Sequence, residues 1–255
     1  MGLQTSRSLP KLRVLGGVLL LCLGACSVPD EPTQFHDPYE AQNRKVHQFN
    51  LAVDRALVRP ASKAYGTGVP EVARQGISNF ASNAALPGKF VNSALQGDVE
   101  GAGQNFMRFL FNSTFGIFGL FDVAGEGGLV EKDTDFGETL AVWGVPEGAY
   151  FELPFLGPST ERGAVGRVVD LFTNPLSQYL DDPASYFPPT ASVAARFGDR
   201  YTFSDSIDSI FYESADSYAQ TRLFYLQSRR FALGDAAETN LIDPYEDPYD
   251  ELFEE

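Results

Sequence analysis

The chain has 255 residues, a formal net charge of −15, two Cys and two His. The acid excess argues against nucleic acid, because phosphate binding needs clustered Lys and Arg. Hydrophobic residues make up 44%, with 21 Phe, so the chain is globular rather than disordered, and one large domain or two small ones are possible. Two Cys and two His exclude a Cys-rich disulfide scaffold and a His-rich zinc site, and no metal or cofactor is expected.

Residues 1–25 read as a targeting segment. Arg7, Lys11 and Arg13 form a basic start, and Val14 to Leu23 is apolar apart from Gly16 and Gly17. Ten helical residues reach about 15 Å, roughly half a bilayer core, so this is a signal segment and not a membrane span. Leu23-Gly24-Ala25-Cys26 resembles the lipobox of bacterial lipoproteins. That resemblance implies cleavage before Cys26 and acylation of its thiol. Ser27 follows, where Asp in enteric lipoproteins resembles an inner-membrane retention signal, so sorting to the outer membrane is expected. Cys22 leaves with the leader and Cys26 is consumed by lipid, which leaves no disulfide. The mature chain is more acidic by the three lost basic charges. A multiply acylated Cys is a stable anchor, at about 0.8 kcal/mol per buried methylene.

Residues 26–36 hold two prolines and read as a lipidated tether. Asp37-Pro38 reads as the cap and first position of a helix whose stripe is Val46, Phe49, Val53 and Leu57, stopping near Pro60. Pro70-Glu71 opens a second helix, with Val72, Ile77 and Phe80 as its expected buried side. Pro87 to Gln96 reads as a third, and Gly97-Asp98 starts a fourth that runs to about Asn112.

Residues 106–121 are unusual: six of sixteen are Phe. Arg108, Asn112 and two Gly interrupt the segment, which is shorter than the ~18 apolar residues a spanning helix needs. A core helix pair and an interfacial hairpin that buries its rings in lipid are both open. Gly97, Gly101, Gly103, Gly116, Gly119 and Gly125 lie in or beside this region and read as close packing, turns or a bend.

Gly125 to Asp135 is a turn. Asp135-x-x-Glu138 is a capping-box-like start of a short segment ending at Trp143-Gly144. Val145 to Pro158 reads as an ordered loop. Ser159/Thr160 to Phe172 reads as a helix with Val165, Val168, Val169 and Phe172 on one side. A proline-rich stretch, 175–189, follows. Ser204 is expected to cap one long helix that ends before Gly234. Alternating strand patterns are absent, so the fold class is all-α, mainly helical. From Asp235 onward there are nine acids and no base, with a tandem Asp243-Pro-Tyr-Glu and Asp247-Pro-Tyr-Asp, so the tail is expected to be disordered.

Catalytic signals are weak. His36 lies in the tether and His47 within the first helix. No Gly-x-Ser-x-Gly elbow, phosphate-binding glycine loop or His-Glu-x-x-His site is present. Asp181-Asp182 and Asp133/Asp135 read as turn and cap residues. The chain is not expected to be an enzyme.

Several ordered blocks resemble the MlaA/VacJ family of outer-membrane lipoproteins. They are Asp37-Pro38-Tyr39-Glu40 with Asn43-Arg44 and Phe49-Asn50, then Arg59-Pro60, then Val69-Pro70 with Arg74-x-Gly76-Ile77-Ser78-Asn79-Phe80. Asn92-x-x-Leu95-Gln96-Gly97-Asp98 and Arg108-Phe109-x-x-Asn112-Ser113-Thr114-x-Gly116 follow. Then come Gly119-x-x-Asp122-Val123-Ala124, Asp135-Phe136-Gly137-x-Thr139-Leu140, Trp143-Gly144-Val145 and Leu153-Pro154-x-Leu156-Gly157-Pro158-Ser159. The blocks cover residues 37 to about 175; the chain after 190 matches only in general character.

This resemblance implies a non-enzymatic role in keeping phospholipid out of the outer leaflet. It implies a ring-shaped, mostly helical domain over 37–234, sitting in the inner leaflet of the outer membrane around an amphipathic channel, and a separate acidic tail over 235–255. The implied partners are phospholipid, a trimeric porin and a soluble periplasmic lipid carrier. The alternative is an adaptor that organises porins without conducting lipid. Phe106, Phe109, Leu110, Phe111, Phe115, Phe118 and Phe121 are then expected against lipid. Arg108 and Asn112, four apart on one helical face, are candidates for the channel or head group, with a structural salt bridge as the competing role of Arg108. Gly144 is a candidate hinge beside the channel, although Pro146 stiffens its loop. Phe49-Asn50 is a family motif on the first helix that packing explains equally well.

Overall fold

The computed structural model describes residues 35–234, apart from the side chains of Ser177 and Gln178. The leader, Cys26 and the acidic tail lie outside the described residues. Phe35 and His36 already belong to the fold: Phe35 packs beside Tyr150 and Tyr218, and the Tyr150 N–H donates to the His36 carbonyl at 2.8 Å.

Helix α1 (Glu40–Val53) starts after Tyr39. Asp37 does not cap it. Its carboxylate accepts from Asn43 Nδ2 at 2.8 Å, from Arg222 at 2.5 Å and from the Tyr218 hydroxyl, so it ties the chain's start to its last helix. Nor does the helix stop at Pro60. It passes through a π-helical turn, Asp54–Val58, into α2 (Arg59–Gly68), and Arg59 N–H bonds the carbonyl of Asp54. Pro60 then sits in a first turn, where a missing N–H is least costly.

Helix α3 (Glu71–Gln96) is one 26-residue element with Pro87 inside it, not two helices. Asn174 Nδ2 donates at 3.0 Å to the carbonyl of Ala84, in the turn that Pro87 disrupts. Val72 is 80% exposed instead of buried, because the start of α3 faces outward. Helix α4 (Val99–Thr114) begins where expected, with Asp98 accepting from Gly101 N–H. Short α5 (Val123–Glu126) and α6 (Phe136–Val142) are capped in the same way by Asp122 and Asp135.

The expected loop over 145–158 contains a hairpin. Strand β1 (Tyr150–Leu153) pairs antiparallel with β2 (Gly157–Thr160), from Tyr150↔Thr160 to Leu153↔Gly157. Its prolines sit at the turn and in β2, a two-stranded edge that tolerates them. Thr160 caps α7 (Glu161–Thr173). There Val169 is buried and Val165 packs beside it, while Val168 and Phe172 point outward.

Helix α8 (Leu176–Tyr179) leads to α9 (Phe187–Thr202), which the prolines disguise: Pro188 opens the first turn, where proline is favoured. The single long helix expected from Ser204 is broken. Helix α10 (Ser204–Asp208) runs into a π-helical turn, Ser209–Glu213, and Ser214 is extended with ψ 149. Asp216 then caps α11 (Ser217–Ala232). No helix of the described residues is long and apolar enough to cross a membrane.

Apolar cores are small. One joins Phe136, Leu140 and Val169 between α6 and α7; another joins Tyr150, Tyr218 and Leu226 between the hairpin and α11. Ion pairs do much of the remaining tying. Arg229 reaches Asp135 at 2.9 Å, and Arg44 reaches Asp216 at 2.9 Å. The most buried arginine–carboxylate pair joins α9 to the π-turn after α1. Arg200 donates to Asp54 at 3.0 and 2.8 Å and to Asp208 at 2.6 Å, and the Tyr212 hydroxyl donates to Asp54 at 2.7 Å. Burial and that bond push the Tyr212 hydroxyl up to about 12. Alongside, α2 and α9 touch at Gly66, where a methyl group would stand 2.1 Å from the Tyr201 ring.

Asp54→Ala strands the Arg200 charge beside a single carboxylate, and a loss of about 3–5 kcal/mol is expected from urea unfolding; a loss below ~1 kcal/mol contradicts this role. The Asp216 carboxyl is held down to about 2 by Arg44 and by the Ala219 N–H. A depressed carboxyl stabilises the fold above its ordinary range and loses that contribution as pH falls toward 2. Melting temperature against pH should therefore fall less steeply below pH ~4 in Asp216→Asn than in the wild type.

Candidate functional site

Helix α4 is amphipathic in the reverse of the usual sense. Gly101, Asn105, Arg108 and Asn112 recur at four, three and four residues and are buried. Phe106, Met107, Leu110 and Phe111 lie on the exposed side. Apart from Arg108 Nε, the buried polar groups find partners within the protein. Asn105 donates to the Lys132 carbonyl at 2.9 Å and accepts from its N–H at 3.2 Å. Arg108 grips both oxygens of Asp122 at 2.9 and 2.8 Å and also donates to the Leu129 carbonyl. Asn112 donates to Asp122 at 2.8 Å and accepts from Ala124 N–H at 2.9 Å. Burial would raise the Asp122 carboxyl, but the Asn112 and Arg108 bonds hold it below the usual carboxylate range.

The chain then makes a tight turn over 115–121. Ile117, Phe118 and Gly119 are left-handed, with φ of 53, 57 and 91. A side chain at Gly119 would meet Asn83 at 2.5 Å, so only glycine fits. The two non-glycine residues are strained, at about 1–2 kcal/mol each. The turn's backbone is held from inside. Gly119 N–H donates to the Asn112 carbonyl at 2.8 Å, and Asn79 and Asn83 of α3 donate to the carbonyls of Leu120 and Phe118 at 3.1 and 3.4 Å. With its backbone bonded inward, the turn presents rings outward: Phe115 is 69% and Phe118 74% exposed.

Behind the turn lies a cleft of 540 Å³, within the ~300–1,000 Å³ range of small-ligand sites. Ile77 and Phe80 of α3, Ile117, Phe118 and Leu120 of the turn, and Phe187, Ala191 and Ala194 of α9 line it. Thr190 also lines it, but its hydroxyl donates to the Tyr186 carbonyl at 2.7 Å. The lining offers an apolar chain no competing polar group. Of three further clefts, one adjoins this turn through Leu120 and Phe121 and two lie elsewhere.

A second polar constellation has the order of a nucleophile relay. Ser217 Oγ lies 3.1 Å from His47 Nε2, and His47 Nδ1 lies 3.1 Å from Glu152. The ring is 2% exposed, and none of the four clefts includes a residue of this relay. Its contacts join α1, β1 and α11. Among the described residues no group of three or more His, Cys, Asp or Glu is placed to hold a metal ion.

Comparison with known proteins follows the same outline. The family model described as MlaA lipoprotein matches residues 35–232. The chain belongs to the MlaA lipoprotein family. The intermembrane phospholipid transport system lipoprotein MlaA of Escherichia coli (strain K12) is 35% identical over 238 residues, covering 92% of this chain and 90% of that protein. The lipoprotein of the same name from Haemophilus influenzae is 28% identical, over 86% and 87% of the two chains. An uncharacterised Rickettsia felis protein is 34% identical over 74% of each. A solved structure, described as the structural basis for maintenance of bacterial outer membrane lipid asymmetry, superposes with a TM-score of 0.67 at 35% identity. It covers 77% of this chain and 98% of its own.

The sequence motifs of this MlaA-family chain can now be located. Of the seven apolar residues singled out, Phe106, Leu110, Phe111, Phe115, Phe118 and Phe121 are exposed and Phe109 is half-buried. Arg108 and Asn112 share a face as expected, and their partner is Asp122. Arg108 therefore takes the salt-bridge role. Gly144 has φ 84 and ends α6: its N–H bonds the Ala141 carbonyl at 2.8 Å, and Val145 N–H bonds the Leu140 carbonyl at 2.9 Å, the paired bonds of a Schellman cap. Phe49 meets Phe155 edge-on at 5.1 Å, and Asn50 clasps the hairpin turn through Leu153 O at 3.0 Å and Phe155 N–H at 2.8 Å. The family motif on α1 thus fastens the hairpin. Sequence reasoning missed Asn79 and Asn83, whose four-residue spacing on α3 was the available signal, and the whole α9 wall.

Asp122→Ala should destabilise the fold by about 2–3 kcal/mol, since it removes several hydrogen bonds to a buried charge. Asp122→Asn should recover part of this by keeping the cap. Equal melting temperatures for wild type and Asp122→Ala contradict the assignment.

Proposed function

We propose that this chain is the outer-membrane lipoprotein of an intermembrane phospholipid transport system, taking mislocalised phospholipid out of the outer leaflet and so maintaining lipid asymmetry. One observation carries the reading: the Phe-rich segment turns its rings outward and its polar groups inward, and closes over an apolar cleft. Water outside makes that arrangement costly, at about 25 cal/mol per Å² of exposed apolar surface, and lipid outside makes it favourable. A membrane-facing turn also needs its backbone groups bonded within the protein, as Asn79, Asn83 and Asn112 do here.

The rim of Phe106, Leu110, Phe111, Phe115, Phe118 and Phe121, with Phe109 half behind it, rests in the acyl region of the inner leaflet, and acylated Cys26 holds the chain there. Residues 37–234 form the ring-shaped lipid-handling domain around an amphipathic channel. Arg108 and Asn112 act by fixing α4 and the turn. Gly144 sets the direction in which the chain leaves α6 beside the channel, and Phe49-Asn50 holds the hairpin. A trimeric porin supports the protein from the side. A soluble periplasmic carrier receives the lipid. The relatives named for phospholipid transport support this reading, as does the structural neighbour described for lipid asymmetry.

In a strain lacking the protein, surface-exposed phospholipid and detergent sensitivity are expected to be rescued by the wild type. Phe115→Asp and Phe118→Asp should fold, localise and fail to rescue. Full rescue by both overturns lipid contact by the rim and favours an adaptor that only organises porins. Cys26→Ala should leave the outer-membrane fraction; unchanged fractionation refutes acylation there.

A further inference from the structure

A cleft of 450 Å³ opens between α2 and the corner where α9 meets α10, and its walls are cationic. Arg55, Arg59 and Lys63 recur every four residues from the π-turn into α2, and all three line it. Arg200 and Ser204 line it from the other side. Two carboxylates also face it. Asp208 is held by Arg59 at 2.5 Å and Arg200 at 2.6 Å, and Asp205 is exposed at the rim. Asp54 lies against Arg200. Arg55 and Lys63 have no carboxylate partner among the described residues, and the Arg55 guanidinium is stacked over Tyr212 at 4.9 Å.

Two further arginines lie behind the cleft wall. Arg200 is only 6% exposed, and its Nη1 has no hydrogen-bond partner. Arg74, whose guanidinium stacks on Tyr201 at 5.1 Å, leaves its Nε without one as well, and Tyr201 lines the cleft. Both atoms are sealed from solvent, so these arginines act on the cleft through their charge. Two cations without a carboxylate partner, Arg55 and Lys63, at one hollow beside the Ser204 hydroxyl suit an anion with several oxygens, as a phosphate has.

The cleft is also in line with the apolar one. Phe187, Thr190, Ala194 and Tyr201 are spaced by three, four and seven residues, so they share one stripe of α9. Phe187, Thr190 and Ala194 line the apolar cleft and Tyr201 the cationic one, and Ala194 to Tyr201 is about 10 Å along the helix. An apolar hollow and a cationic hollow at that separation match the two ends of a phospholipid.

We propose that the cleft between α2 and the α9–α10 corner is a phosphate subsite, which receives the phosphodiester of a phospholipid whose chains lie toward the apolar cleft. This rests on the lipid-transport reading above. Arg55 and Lys63 supply the charge without a carboxylate partner, Ser204 supplies a hydroxyl donor, and the Arg200–Asp54 pair holds the floor.

The test uses the full-length acylated protein in a non-ionic detergent. Phosphatidylglycerol, diacylglycerol with the same chains, and inorganic phosphate are titrated separately into the wild type and into Arg55→Gln/Lys63→Gln. Both replaced side chains are exposed and the Arg200–Asp54 pair is untouched, so melting temperatures should agree. The wild type should bind phosphatidylglycerol at least tenfold more tightly than diacylglycerol. The double variant should lose that preference and keep its diacylglycerol affinity. Equal phosphatidylglycerol affinity in the two proteins overturns the subsite, as does equal binding of the two lipids by the wild type; either result leaves the lipid-transport reading standing. Inorganic phosphate bound by the wild type alone, with neither lipid bound, overturns the lipid as its source and the lipid-transport reading with it, and leaves a site for free phosphate.

Discussion

Helix α4 has to keep its polar side chains inside and its aromatic ones outside. Most water-facing helices solve the opposite problem, and the solution here depends on finding enough internal acceptors. Asp122 supplies the largest share: one carboxylate takes Arg108 Nη2 on both oxygens, the amide of Asn112 and the Gly125 N–H in the first turn of α5. Because it does so, α4 can bury a guanidinium without leaving an unpaired charge, and the next seven residues can fold back as a turn of rings. Asn79 and Asn83 complete the arrangement from α3. The apolar cleft exists because that turn is held over α9.

Elsewhere the fold is tied more by arginines than by a large apolar core. Helix α11 sends Arg222 to Asp37, Arg229 to Asp135 and Arg230 to Glu147, so it braces the start of α1, the cap of α6 and the loop before the hairpin. The Arg200–Asp54 pair does the same for α9 and the π-turn. Such pairs specify geometry more than they add stability, since taking both ions out of water offsets most of their attraction. That suits a protein whose apolar residues are needed on its outside.

Much of this was legible in the residues. The helical class, the caps at Asp98, Asp135 and Thr160 and the odd character of 106–121 all follow from spacing and residue type. Proline caused the largest errors. Pro60 and Pro87 read as helix ends, yet a π-turn just before Pro60 and a bond from Asn174, ninety residues past Ala84, accommodate them. Pro188 and Pro189 hid α9, although proline in a first turn is a favourable start. The hairpin was missed because its four-residue strands owe their pairing to Asn43 and Asn50, more than a hundred residues earlier in most contacts. The partner of Arg108 was within reach: Asp122 caps a helix ten residues past Asn112, and caps are natural acceptors for a second donor.

The outward rings have a consequence for the protein's life before it meets a membrane. Phe115, Phe118, Phe121 and Ile117 are each more than half exposed, and they adjoin one another in a single turn. In water such a patch attracts other apolar surfaces, including its own copies. Self-association is therefore expected of the correctly folded protein in water, not only of a misfolded one. Detergent that covers this turn should therefore keep purified protein dispersed where plain buffer does not.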